Sequence, residues 1–265
     1  MNFEKANNQY YAMYIESKVV SLINKTPHLV EINFSFSDED IQEMNNDAQK
    51  IVDFLQGEKA VWVGRQCGNE KCDIIIDGER QVELKYVSCG NGTYLNSSLE
   101  YFSSKLGFTP FTEYTHKYIC PILEPIYGDK VYKNFSPVTM QESKDIRHGQ
   151  KELYALVQNA DKEMRKKYVE DLYNFLIQNP DKCIIFISDM INKNVNNKYT
   201  PDELVIFNHI TKEIKTFSKE EIKKLIKNKN IKKNALGLVF DGFRVQIGWQ
   251  NGNGLNNPTL RVFLK

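Results

Sequence analysis

Apolar residues along this chain alternate between helical spacing and short continuous runs. Residues 3 to about 24 read as a helix, with Ala6, Tyr10, Met13, Tyr14 and Val20 near one face, ended by Thr26-Pro27. Ser37-Asp38-Glu39-Asp40 opens a second helix, in which Ile41, Met44, Ala48, Ile51, Val52 and Leu55 recur before Gly57 stops it. Ala60 to Val63 reads as a strand. Ile74-Ile75-Ile76 and Val82-Glu83-Leu84 form a hairpin about Asp77-Gly78. Ser97 with Glu100 makes a capping box for a helix ending at Gly107. Tyr118 to Leu123 is expected to be a strand. Thr139 with Glu142 should open a helix to about Ala160, and Lys162 to about Ile177 should form another. Cys183 to Ser188 reads as a buried strand. Asp202 to Lys215 has the layout of a second hairpin. Phe217-Ser218 with Glu221 and Ile222 gives a capping box and hydrophobic staple. The chain closes with strands at Leu236–Phe240, Phe243–Trp249 and Thr259–Leu264.

This pattern predicts an α/β (α+β) fold. A mixed central β-sheet is flanked by helices on both faces, with additional C-terminal β-elements. At 265 residues, a single domain is expected, with a catalytic core over about 1–190 and a C-terminal part over about 191–265.

Composition narrows the class only a little. The hydrophobic fraction of 41% and charged fraction of 26% suit a globular protein with a sizeable core. No stretch has the length and apolarity of a membrane span, and Met1 to Lys5 lacks a signal-peptide pattern. Five cysteines without paired spacing point to a reducing cytoplasm. Cys67, Cys72 and Cys89 make a poor zinc signature, and the four histidines stand apart. A net charge of +1 advertises no polyanion, although local basic surface is compatible with it.

The chemistry concentrates in the first hairpin. Asp73 and Glu83 offer two carboxylates on adjacent strands, a suitable oxygen set for a hard cation. Lys85 lies two residues after Glu83 and so projects from the same strand face. Glu-x-Lys alone is uninformative, since it occurs five times. Asp202, Glu213 and Lys215 repeat the whole layout and are the rival constellation. The first hairpin is preferred because Val82 and Leu84 fit a buried central strand, whereas Lys212 and Thr216 fit an edge hairpin. Geometry sets a condition. A two-residue turn would put Asp73 opposite Val82 or Leu84, on the wrong face from Glu83 and Lys85. A three-residue loop, Asp77-Gly78-Glu79, brings all three together.

Asp73, Glu83 and Lys85, embedded in KCDIIIDGERQVELKYVS, resemble the motif of the PD-(D/E)XK nuclease superfamily, the fold of most type II restriction endonucleases. Cys72 stands where that family often has proline. The resemblance implies a Mg²⁺-dependent, site-specific endonuclease acting on double-stranded DNA, with Mn²⁺ able to substitute. Its products would carry 5′-phosphate and 3′-hydroxyl ends. Asp73 and Glu83 would ligate metal, helped by the Leu84 carbonyl, and Lys85 would position or activate water. Glu16, on the first helix, would join the metal site as helical glutamates do in many members. A homodimer is expected if a palindrome is cut. The chain would be a single nuclease domain over 1–265, and its C-terminal part over about 191–265 could serve as a DNA-recognition subdomain. A MutH-like nickase or another repair or defence nuclease would share the motif. A non-catalytic DNA-binding protein is the reading from a different class.

Further candidates could touch DNA. Arg65 and Gln66 follow the first strand. Ser88, Asn91, Thr93, Tyr94 and Asn96 follow the strand bearing Lys85. Arg244 and Gln246 alternate on a late strand that leads into Asn251 and Asn253. Asparagine, glutamine and arginine can pair with base edges, and hydroxyls suit phosphates. Each set also fits ordinary loop and turn chemistry. The lysine-rich segment from 212 to 233 has a buried stripe of Ile222, Leu225 and Ile226, which leaves its lysines on a solvated face.

Overall fold

The computed structural model describes residues 8–28, 34–64, 72–88, 90, 92–128, 140–191, 201–224, 230–249 and 258–265. In chain order the first elements are α1 (Asn8–Ile23), α2 (Asp38–Leu55), β1 (Ala60–Trp62), β2 (Ile74–Ile76), β3 (Arg80–Val87), β4 (Leu95–Ser98), α3 (Leu99–Leu106), α4 (Phe111–Tyr118) and α5 (Cys120–Tyr127). There follow α6 (Met140–Gly149), α7 (Lys151–Gln178), α8 (Pro180–Ile191), β5 (Glu203–Asn208), β6 (Glu213–Ser218), α9 (Lys219–Lys224), β7 (Lys232–Asn234), β8 (Gly237–Val239), β9 (Phe243–Trp249) and β10 (Pro258–Leu264). The fold is mixed α+β, with one mixed and one antiparallel five-stranded sheet in place of a single central sheet, and helices packed on them. The chain divides by packing into two units, residues 1–92 with 191–224 and residues 93–190 with 225–265. That partition differs from a split near residue 190: the chain leaves the first unit after β3 and re-enters it at β5.

In the first unit the strands order as β1-β2-β3-β5-β6. The β3–β5 pair is parallel and the others antiparallel. β3 is therefore central and β6 lies at an edge. Leu204 to Phe207 of β5 are all buried, as suits a strand covered on both faces. Ser37 caps α2, its hydroxyl accepting the Asp40 amide. Tyr11, Ile15, Val19 and Ile23 of α1 and Met44, Ala48, Ile51 and Leu55 of α2 pack on Ile74, Ile76, Val82, Leu84, Tyr86, Val205 and Phe207. The buried α1 stripe is thus one position away from the expected Tyr10, Met13, Tyr14 and Val20, which are only half-buried. Val82, Leu84 and Tyr86 point toward these helices, so period-two alternation sends Glu83 and Lys85 to the other face.

The second unit holds the sheet β4-β10-β9-β8-β7, antiparallel at every pairing. Phe243, Val245, Ile247 and Trp249 of β9 and Leu260, Val262 and Leu264 of β10 form its buried face. The Trp249 indole donates to Asp161 of α7, and Phe111 of α4 meets the Trp249 ring edge-on.

Several expected elements take another form. Tyr118–Leu123 is helical, because Phe111, Thr115, Ile119 and Leu123 recur at four-residue spacing and are buried, and Pro121 fits the first turn of α5. Cys183–Ser188 lies in α8: Cys183, Phe186, Ile187 and Met190 make a helical stripe hidden inside an unbroken apolar run, with Ile185 exposed. The long helix breaks at Gln150 rather than near Ala160, which sits inside α7 with no Gly or Pro beside it. Thr139, its proposed cap, lies outside the described residues. The Ser97 capping box does not form. Ser97 is in β4 and Ser98 precedes α3 without a side-chain cap bond, while Glu100 instead accepts the amide and hydroxyl of Thr112. The Ser218–Glu221 box does form, each side chain accepting the other's amide.

Candidate active site

The β2–β3 turn decides whether the hairpin can be a site. Ile76 pairs with Arg80 and Ile74 with Val82, which leaves the three residues Asp77, Gly78 and Glu79 in the loop. Asp77 and Gly78 have φ of 52° and 82°, and the Glu79 amide donates to the Ile76 carbonyl at 3.2 Å. Positive φ at both central residues is the hairpin-type turn that Asp-Gly favours, and Glu79 is the extra residue. The odd loop sets Asp73 on the same face as Glu83 and Lys85.

The side chains meet there. Lys85 Nζ lies 2.6 Å from Glu83 Oε1 and 3.6 Å from Asp73 Oδ2. Backbone bonds fix Asp73 from several sides. Its carboxylate Oδ2 accepts the Leu84 amide at 2.8 Å, its amide donates to the Val82 carbonyl, and its carbonyl accepts the amides of Val63 and Gly64. The hydrogen bond found at Leu84 thus engages its amide, and its side chain is buried in the core.

Glu16 arrives from α1. Its neighbours Ile15 and Ser17 are buried, and its Oε2 accepts the Trp62 indole N–H at 2.9 Å. A Cβ built on Gly64 would sit 3.1 Å from Glu16 Oε2 and 3.3 Å from Asp73 Oδ1. The two carboxylates therefore flank one small space, which glycine leaves open. Burial pushes the Glu16 carboxyl up to about 8, and the charges of Asp73 and Glu83 add to that rise. For Lys85, burial works to lower the ammonium, but Asp73 and Glu83 outweigh it and hold the group above the usual lysine range. Lys85 is thus a fixed cation in this arrangement.

Among the described residues, no three His, Cys, Asp or Glu side chains form a ready-made metal-ligand group. Lys85 bridges Asp73 and Glu83. The donor chemistry nevertheless suits a hard divalent cation. Three carboxylates face one ammonium, and burial together with that unbalanced negative charge suppresses the acid strength of Glu16.

The rival constellation does not assemble. Asp202 lies at one end of the β5–β6 hairpin, bonded to the Gln81 amide and to Lys219. Glu213 lies at the other end, paired with Asn208. Lys215 Nζ sits 4.9 Å from the Phe217 ring centroid.

The DNA-contact candidates divide. Ser88 is exposed at the end of β3. The loop after it returns to the lysine, since a Cβ on Gly92 would lie 3.4 Å from the Lys85 Cβ. Thr93 is half-buried. Tyr94 must be corrected: it is 2% exposed, packed in the core of the second unit, so its ring is closed to a base. Asn96 and Arg244 are exposed and Gln246 half-buried on the outer face of the second unit's sheet. Arg65, Gln66, Asn91, Asn251 and Asn253 lie outside the described residues. Two site residues escaped sequence reasoning, Trp62 and Gly64. The available signal was a partly buried indole N–H, which needs an acceptor, next to a strand-ending glycine.

No protein-family model matches the chain, and no curated protein matches it in sequence. Among the described residues, no helix is long and apolar enough to cross a membrane.

Proposed function

We propose that this chain is a Mg²⁺-dependent DNA endonuclease of the PD-(D/E)XK type, most like a type II restriction enzyme, with its chemistry housed in the first unit. The observation that carries the reading is the convergence of Asp73, Glu83 and Lys85 on one face of the central strand region through a three-residue loop, with Glu16 delivered beside them. The mixed sheet with its parallel β3–β5 pair and α1 packed on it supports the same reading.

Asp73, Glu83 and Glu16 are the residues that would hold the cation. When bound, Mg²⁺ supplies Lewis-acid polarisation of a phosphate oxygen and a more acidic water. The protein's own contribution is positional and electrostatic. Backbone bonds lock Asp73, the Trp62 indole orients Glu16, and Glu83 aims the Lys85 ammonium. That ammonium stabilises the charge that develops on the phosphate oxygens as a water oxygen attacks phosphorus and the 3′-oxygen leaves. The products are a 5′-phosphate and a 3′-hydroxyl. A homodimer would supply two such sites to a palindrome.

The test is incubation with mixed plasmid and bacteriophage DNA, methylated and unmethylated, with Mg²⁺ or with chelator. Discrete fragments only with Mg²⁺ are expected. Intact DNA under every condition would overturn the proposal and favour a non-catalytic binding protein.

A further inference from the structure

The strands of the second unit's sheet carry one sign of charge. β4, β7, β8, β9 and β10 contain no Asp or Glu, yet they hold Lys232, Lys233, Arg244 and Arg261. In a chain whose net charge is only +1, this is a marked local imbalance. Strand register sorts these groups. Lys233 turns away, to Glu170 of α7. Arg261 pairs across the strands with Asn96 on one side and Gln246 on the other, so these three form a polar row on the outer face. Next to it, Arg244 pairs with Phe263, and its guanidinium lies 4.6 Å from that ring centroid. Arg261 donates to the Trp249 carbonyl at 2.7 Å, which fixes the head of a long flexible side chain. A ring and a backbone carbonyl thus hold the two arginines in place on one face.

We propose that this face binds the phosphate backbone of duplex DNA, with Arg244 and Arg261 as the anchoring cations and Asn96 and Gln246 as adjoining polar contacts. Charge complementarity carries the assignment, and the choice of DNA as the polyanion rests on the nuclease reading above. Arginine suits the role because its planar fork can bond two phosphate oxygens at once. A ring-stacked guanidinium keeps its edge N–H groups available. Asparagine and glutamine side chains beside such anchors can bond phosphate or base edges.

The test is fluorescence anisotropy with labelled duplex DNA and the full chain, made cleavage-incompetent by Lys85→Ala, over a series of salt concentrations. Arg244→Glu and Arg261→Ala are compared on that background, with thermal melts as a check on folding. Arg244 is exposed, so its reversal tests the face even if Arg261→Ala perturbs the β9 terminus. Folded variants should bind about tenfold more weakly or worse. The dependence of log affinity on log salt should become shallower, by roughly 1 for each phosphate no longer neutralised. Unchanged affinity and slope in both variants would overturn the face. Duplex binding that disappears in the variants would sustain it even if the intact protein never cuts DNA. Cleavage by the otherwise wild-type chain that is indifferent to both substitutions would overturn it and leave the active-site proposal standing.

Discussion

The carboxyl group of Glu16 on α1 accepts the indole N–H of Trp62 on β1 at 2.9 Å, which fixes a helical acid beside Asp73, the residue that leads into β2. Trp62→Phe keeps an aromatic ring and removes the donor. An intramolecular hydrogen bond is worth about 0.5–1.5 kcal/mol, so Glu16 should lose its preferred orientation. Cleavage is expected to fall roughly tenfold or more at limiting Mg²⁺, with part of the loss recovered as Mg²⁺ rises. Kinetics over a metal titration check this. An unchanged metal dependence would separate Glu16 from the site.

Gly64 leaves open the space between Glu16 Oε2 and Asp73 Oδ1. Gly64→Ala adds a methyl at 3.1 Å from the first oxygen, closer than ordinary van der Waals separation. Activity should fall by roughly tenfold to a hundredfold, the scale of a misplacement near 1 Å, while the melting temperature moves little. A variant with equal losses in both would place Gly64 in folding rather than in the site.

The loop register can be tested by deletion. Removing Gln81 from β3 keeps the Asp77-Gly78-Glu79 loop but shifts the rest of the strand by one residue, so Asp73 falls opposite Leu84 and across the sheet from Glu83 and Lys85. Cleavage should be abolished. Replacing Gln81 with alanine keeps the residue count and should leave cleavage near wild type. A deletion variant that still cuts at the wild-type rate would contradict the face assignment.

A second charged cluster, away from the chemistry, predicts a pH effect on stability. Lys212 lies 2.6 Å from Glu43 and 2.8 Å from Asp47, and Asp47 is almost fully buried and also accepts the Tyr86 hydroxyl. Hydrogen bonding to Lys212 holds the Glu43 carboxyl below its usual range. A lowered native value means the unfolded chain binds more protons, so the stabilisation is present above the ordinary glutamate range. It is lost as pH falls through the native value. Lys212→Met should therefore cost about 3 kcal/mol at pH 7, much of it from stranding Asp47. The cost should shrink as pH falls below about 4 and Glu43 takes up its proton. Denaturant melts at the two pH values measure it. An equal loss at both would remove the electrostatic explanation.

Legibility in the sequence followed locality. Asp73, Glu83 and Lys85 and the three-residue loop could be read because a hairpin is set by its own turn residues. The Ser218–Glu221 box and the Phe243–Trp249 strand were readable for the same reason. The Cys183–Ser188 segment was not, because Cys-Ile-Ile-Phe-Ile-Ser is apolar without a period, and only its packing selects helix. β4 was hidden too. Leu-Asn-Ser-Ser carries little strand propensity and is a strand only through pairing with β10, at the far end of the chain. Tyr94 looks like a loop aromatic in sequence, but the second unit closes over it, and the division into two units depends on the return from α8 to β5. Arg261 is unremarkable alone. Its meaning comes from strand neighbours more than a dozen residues away.

The most direct test of the central claim compares cleavage by the intact protein, Lys85→Ala and Lys215→Ala on the same DNA with Mg²⁺. The two lysines occupy matching places in rival hairpins, and only Lys85 meets both acids of its set. Discrete fragments from the intact protein and from Lys215→Ala, with none from Lys85→Ala, are the predicted result. Cleavage that survives Lys85→Ala, or is lost only in Lys215→Ala, would contradict the assignment of the active site.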